Sequence, residues 1–170
     1  MNETIHPNEL IARYQEPLYW HIRRLVVSHE DARDLLQDTF LQAFRSMDQL
    51  RDPGAVKSWL YRIATNLCYR HLQRNRIVPL STEELSAHLL ERLEASTYVD
   101  FERDAELRFQ QALLRLTEHQ RTVFTLRYYD EMSYEESARV VDSTPGSLRV
   151  TYHQAVERIK TYLRTEQTMI

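Results

Sequence analysis

Residues 57–76 read KSWLYRIATNLCYRHLQRNR. The stretch carries Lys57, Arg62, Arg70, Arg74 and Arg76 and no acidic residue. On a helix, Arg62, Asn66, Arg70 and Arg74 recur at every fourth position and form one stripe, with Tyr61, Thr65 and Tyr69 beside it. Trp59, Leu60, Ile63, Ala64 and Leu67 fall on the other side and are expected to face a core. Cations neutralise phosphate, an Asn amide reads base edges, and flat rings stack on unpaired bases. Such a face suits a nucleic-acid strand. A solvated helix face with scattered cations has the same composition, so the stripe alone leaves both readings open.

Outward from this helix, composition sets the frame. A chain of 170 residues makes one ordinary domain or two small ones, and 42% hydrophobic residues suffice for a packed core. With only 2 Gly and 5 Pro, long helices are favoured over a strand-rich fold with many tight turns. The single cysteine, Cys68, excludes an internal disulfide and fits a reducing compartment. No apolar run is long enough to span a bilayer, and MNETIHPNEL lacks the regions of a signal peptide. A cytoplasmic protein without membrane insertion is the expectation.

The formal net charge of −3 argues against a nucleic-acid partner only until its distribution is read. Residues 1–77 hold 11 Lys and Arg against 9 Asp and Glu, residues 78–103 hold 2 against 6, and residues 104–170 hold 9 against 10. The middle segment therefore accounts for the acidity, and the basic helix stands locally unopposed.

Upstream of that helix, Leu10, Ile11, Tyr14, Leu18, Ile22, Leu25 and Val26 make a helical stripe that Pro17 is expected to kink or divide. Ser28 and Asp31 resemble a capping box for a second helix. That helix turns Ala32, Leu35, Leu36, Phe40, Ala43, Phe44 and Met47 inward and Asp34, Gln37, Asp38, Leu41 and Gln42 outward. Asp52 and Pro53 supply an N-cap and a first-turn proline for the basic helix. Three amphipathic helices of this kind bury their apolar faces as a bundle.

Residues 78–103 read as an acidic connection with a short amphipathic helix on Leu85, Leu89 and Leu93. Beyond it, Leu107, Leu113, Leu114 and Leu116 form a stripe. Capping boxes at Thr117–Gln120 and Ser133–Glu136 then start two further helices. Asp142, Ser143 and Thr144 break the pattern. Thr144 and Pro145 open a last helix that buries Leu148, Tyr152, Ala155, Ile159 and Leu163. Helix, short turn, capped helix is the helix-turn-helix pattern, whose second helix enters the major groove of DNA. Arg149, Val150, His153 and Gln154 point away from the buried stripe, with chemistry suited to guanine, adenine and a thymine methyl. An ordinary helical hairpin has the same pattern without nucleic acid.

Four stretches together carry a family resemblance. They are ARDLLQDTFLQAF (32–44), KSWLYRIATNLCYRHLQR (57–74), LTEHQRTVFTLRYYDEMSYEESARVV (116–141) and TPGSLRVTYHQAVERIKTYL (144–163). In this order and spacing, over roughly residues 10–164, the chain resembles a bacterial RNA polymerase sigma factor of the extracytoplasmic-function group. The resemblance implies an all-α protein of two small helical domains joined by the acidic linker. These are a sigma domain 2 bundle at 1–77 and a sigma domain 4 helix-turn-helix at 104–170, with 78–103 between them. It further implies an alternative sigma factor that binds core RNA polymerase and promoter DNA, with an anti-sigma factor as a further candidate partner.

The resemblance also distributes roles. Asp34, Gln37, Asp38 and Leu41 would grip the clamp helices of the polymerase's largest subunit. Arg62, Asn66, Tyr69, Arg70 and Arg74 would hold the minus-10 element as it melts, with Asn66 on an unstacked base and the arginines on phosphates. Trp59 is tempting there as a stacking ring, but it shares a side with Leu60 and Ile63 and is assigned to the core. Arg149, Val150, His153 and Gln154 would read the minus-35 duplex. The linker resembles the segment that family members thread into the polymerase cleft.

The chain departs from the family pattern in places. Arg70 stands where the family often has Asp. Ser137 replaces an aliphatic residue in the first helix of the pair, which implies looser packing. Thr151, Gln154 and Val156 stand where basic residues are common, which implies a weaker electrostatic grip. No catalytic residue, metal site or cofactor is assigned. The seven His residues are scattered, Cys68 sits within a helix, and only Gly54 and Gly146 are available for a phosphate loop. Two other readings stay open on the sequence. One is a stand-alone helix-turn-helix regulator. The other is a sigma-like protein that binds polymerase or an anti-sigma factor without opening promoters.

Overall fold

The computed structural model describes residues 5–74 and 103–168. The expected acidic connection with its helix on Leu85, Leu89 and Leu93 lies outside these residues, apart from Arg103, and so does the side chain of Leu107. The described residues form helices joined by short turns, with no strand among them.

Helix α1 (Pro7–Val26) starts on Pro7 and passes through Pro17 without a break. Pro17 lies on the exposed side, and Leu10, Leu18, Ile22, Leu25 and Val26 on both sides of it are buried. Burial of leucine-sized side chains is worth about 1.5–3 kcal/mol each, enough to outweigh one lost backbone bond at the proline. The expected division at Pro17 therefore does not occur. Helix α2 (His29–Arg45) begins where the Ser28 hydroxyl accepts from the Asp31 N–H at 3.4 Å. It buries Ala32, Leu35, Phe40 and Ala43.

Helix α3 (Val56–Arg74) is entered through a short 3-10 turn over Pro53–Ala55. Asp52 caps that turn, its carboxylate accepting from the Gly54 N–H at 2.9 Å, rather than capping α3 directly. Packing of α1, α2 and α3 on one another makes the N-terminal bundle.

In the C-terminal half, α4 (Arg103–Leu114) leads into α5 (Glu118–Phe124), which starts on a complete Thr117–Gln120 capping box. A wide π-helical turn over Thr125–Tyr129 continues α5. Helix α6 (Tyr134–Val141) is capped by the Ser133 hydroxyl, which accepts from the Glu136 N–H at 3.1 Å. It ends on Asp142 in the left-handed region, at φ 53°. Asp adopts that conformation more readily than most residues, so the chain can reverse here without glycine. Thr144 then accepts from the Ser147 N–H at 3.2 Å, and α7 (Pro145–Thr168) begins. Leu148, Ala155 and Ile159 anchor α7 against α4, α5 and α6.

The two halves meet. Leu126, Met132 and Val140 of the C-terminal half belong to the same buried cluster as Leu60, Tyr61 and Ile63 of α3. Helix α3 packs on α6, and α1 packs on the π-turn.

Candidate nucleic-acid interface

Three exposed faces emerge from this packing. On α3, Arg62, Asn66, Arg70 and Arg74 all lie exposed along one side. Four-residue spacing makes them near neighbours, and the helix carries no acidic side chain to neutralise them. Arg74 is drawn along the helix by a bond from its Nε to the Arg70 carbonyl at 3.4 Å. The expectation of rings flanking this stripe is corrected. Tyr61 and Thr65 are buried, 2% and 0% exposed, because His21 of α1 and the C-terminal half together cover that side of α3. Tyr69 is half-buried, and its hydroxyl donates to Thr122 Oγ1 at 2.7 Å. Desolvation pushes its phenol above the ordinary range, with the Thr122 bond working the other way. Trp59 is half-buried and packs against the core cluster, on the side the sequence assigned to it.

On α7, Arg149, Val150, His153 and Gln154 are all exposed, Val150 at 59%. Val150 lies in the first half of this capped helix, an exposed apolar side chain beside an arginine and an amide. Two residues not singled out in the sequence join this face. The Arg149 guanidinium lies over the Tyr134 ring at 5.1 Å, and that of Arg127 lies over the same ring at 4.2 Å. Arg127 is fixed further by donating from Nη1 to the Met132 carbonyl. No periodicity marks Arg127, and Tyr134 reads in the sequence as an apolar partner of Ala138 and Val141 on its own helix rather than as a site residue. The available signal was positional, since the helix-turn-helix turn brings the start of α6 beside the first half of α7.

The third face is on α2. Asp34, Gln37, Asp38 and Leu41 are exposed, and Leu41 is 45% accessible. Asp34 and Gln37 also line an open groove between α1 and α2, together with Ile11, Tyr19, Leu36 and Phe40. An exposed leucine within a polar rim next to such a groove has the make-up of a protein-docking surface. Among the described residues no helix is long and apolar enough to cross a membrane.

Comparison with known proteins agrees with this layout. The model for sigma-70 region 2 matches residues 10–77, and that for sigma-70 region 4 matches residues 106–159. The RNA polymerase sigma-H factor of Pseudomonas aeruginosa is 31% identical over 158 residues, covering 88% of this chain and 82% of its own. The extracytoplasmic-function RNA polymerase sigma-E factor of Escherichia coli is 33% identical over 162 residues, covering 89% and 83%. Among solved structures, the sigma factor RpoE bound to the anti-sigma factor NepR from Bartonella quintana superposes with a TM-score of 0.69 at 20% identity, covering 92% of this chain and 96% of that one. CnrH in complex with the cytosolic domain of CnrY gives 0.67 at 23% identity, covering 94% and 88%. These two likenesses speak for the fold. With both region models matched in order and relatives above 30% identity along most of their length, the chain belongs to the sigma-70 family of RNA polymerase sigma factors, in its extracytoplasmic-function group, and directs core polymerase to promoters for transcription initiation.

Proposed function

We propose that this alternative sigma factor divides its work among the three faces. Residues 1–77 form a domain that grips core polymerase and the minus-10 element, residues 78–103 a linker, and residues 104–170 a domain for the minus-35 element. Asp34, Gln37, Asp38 and Leu41 dock on polymerase. Asn66 receives an unstacked base of the melting strand while Arg62, Arg70 and Arg74 neutralise its phosphates. Tyr69 joins that strand only when its bond to Thr122 is released. Arg149, Val150, His153 and Gln154 enter the major groove of the upstream duplex. The chain works in the cytoplasm and catalyses no reaction itself.

The observation that carries this reading is the exposed Arg62–Asn66–Arg70–Arg74 stripe, set on a helix without acidic residues. A regulator that binds only duplex DNA needs no second, single-strand-type face. Because the two solved structures compared above were captured with an anti-sigma factor or a second protein's cytosolic domain, an anti-sigma partner is part of the proposal. The test is an open-complex assay with core polymerase, a promoter and permanganate probing of unpaired thymines. Asn66→Ala is expected to lose the melted signal and keep polymerase binding. A melted region of wild-type extent and yield in the variant would reject the assignment.

A further inference from the structure

Past Asn66, the exposed residues of α3 are Arg70, Gln73 and Arg74. The other side chains of that half of the helix are engaged. Cys68 is buried, and Leu67 and Leu72 pack against the core cluster. Tyr69 donates to Thr122, and His71 Nε2 pairs with Asp31 of α2 at 3.3 Å. Two of the three exposed residues are cations, and the Arg74 Nε is turned back onto the Arg70 carbonyl. Gln73 is the exposed side chain there that can both donate and accept. Its amide makes no hydrogen bond to another described residue.

Gln73 stands seven positions after Asn66. At 3.6 residues per turn, seven residues return to within about 20° of the same direction, so the two amides share one face, about 10.5 Å apart along the axis. Along one strand of a B-form duplex, that distance is about three base steps. Arg70 lies between the two amides. Phosphate contacts fix register and base contacts carry sequence, so a cation between two amides sets one strand across both. A glutamine amide meets the N6 and N7 edge of adenine with two bonds, and that edge lies in the major groove of paired DNA.

We propose that Gln73 is a second base-reading residue of this factor, recognising an adenine in still-paired DNA about three base steps from the base that Asn66 receives. The proposal rests on the reading of the α3 stripe as the minus-10 face. Asn66 works at the melted edge and Gln73 on the adjoining duplex, with Arg70 holding the phosphates between them. One helix then checks the promoter on either side of the point where the strands separate. The charge of the stripe cannot supply this preference, because phosphates are the same in every sequence.

The test uses holoenzyme assembled from core polymerase and the full chain, on a promoter library randomised across the minus-10 region. Base preference is scored position by position from the bound fraction. Wild type is expected to prefer adenine at a position about three steps from the Asn66-dependent one. Gln73→Ala is expected to lose that preference by at least about 5-fold, the least that one bidentate pair supplies, and to keep the Asn66-dependent preference. Gln73→Glu carries acceptors only and is expected to move the preference from adenine to cytosine, a change that a merely structural role would not produce. Replacing the adenine by 7-deazaadenine removes one acceptor and is expected to weaken wild type while leaving Gln73→Ala unmoved. A wild-type preference map in either Gln73 variant overturns the proposal. So does equal weakening on every sequence, which is a loss of general affinity. Asn66→Ala is scored beside them. If Gln73→Ala and Asn66→Ala both keep the wild-type map, the reading of the stripe as the minus-10 face fails as well. If Gln73→Ala alone keeps it, that reading stands and the second reader is rejected.

Discussion

Arg149 of α7 and Tyr134, the first residue of α6, are locked together across the helix-turn-helix turn, guanidinium over ring at 5.1 Å. The ring holds the arginine at the start of its helix, where an incoming base edge would meet it. Arg149→Ala is expected to weaken binding to the upstream duplex by about 1–3 kcal/mol and to relax its sequence preference at one position. Tyr134→Leu removes only the guidance and is expected to lose at most about 1 kcal/mol, while Tyr134→Phe retains the ring and the affinity. Holoenzyme binding to promoter fragments with single base changes measures all three.

The arginines and the amide of the α3 stripe are predicted to separate by salt. Arg62→Ala is expected to lower the salt slope of promoter binding by about one phosphate contact, whatever the sequence. Asn66→Ala is expected to keep that slope and lose discrimination among bases of the melted strand. Titrations at several salt concentrations distinguish the two; equal slopes for Arg62→Ala and wild type would remove Arg62 from the phosphate path.

Leu41 is the exposed apolar centre of the α2 face. Leu41→Glu is expected to weaken core-polymerase binding by more than about 1 kcal/mol, as truncation of a buried interface anchor does, with no loss of stability because the side chain is solvent-exposed in the free chain. Competition with a labelled sigma factor for core polymerase, beside urea denaturation of the free variant, provides both numbers.

Burial pushes the Cys68 thiol well above its ordinary range, and Arg121 offsets only part of that. An unfolded thiol ionises near pH ~8.5 while the folded one stays protonated, so above that pH the unfolded state holds fewer protons and stability falls as pH rises. Desolvation raises Tyr61 and Tyr69 in the same direction, which extends the fall above pH ~10. Cys68→Ala is expected to flatten the first part of the decline in urea midpoints between pH 8 and 10. A variant with the wild-type slope would show that the thiol is not shielded.

The helices and their caps were legible in the sequence because each rests on a local rule. Thr117 with Gln120, Ser133 with Glu136, and Thr144 with Pro145 announce helix starts that the backbone then uses. The exposed members of the α2, α3 and α7 faces followed from helical periodicity alone. What could not be read was the seam where the two halves meet. Tyr61 and Thr65 look like neighbours of the basic stripe on a helical wheel, and only contacts from residues more than forty positions away in the chain, such as His21 with Thr65 and Tyr69 with Thr122, take that side of α3 out of solvent. That Pro17 does not divide α1 has a related reason. Its local penalty is real, but burial on both sides of it is larger. The Arg127–Tyr134–Arg149 cluster was hidden because it depends on how a turn folds two helices together.

Run-off transcription with purified core polymerase and a library of promoter fragments tests the account at its centre. Core polymerase supplemented with this chain is predicted to initiate at a limited set of fragments, with Asn66→Ala failing at melting and Arg149→Ala failing at upstream recognition. Stable association with polymerase that yields no start site beyond those of polymerase alone, or defects in the two variants that cannot be told apart, would contradict it.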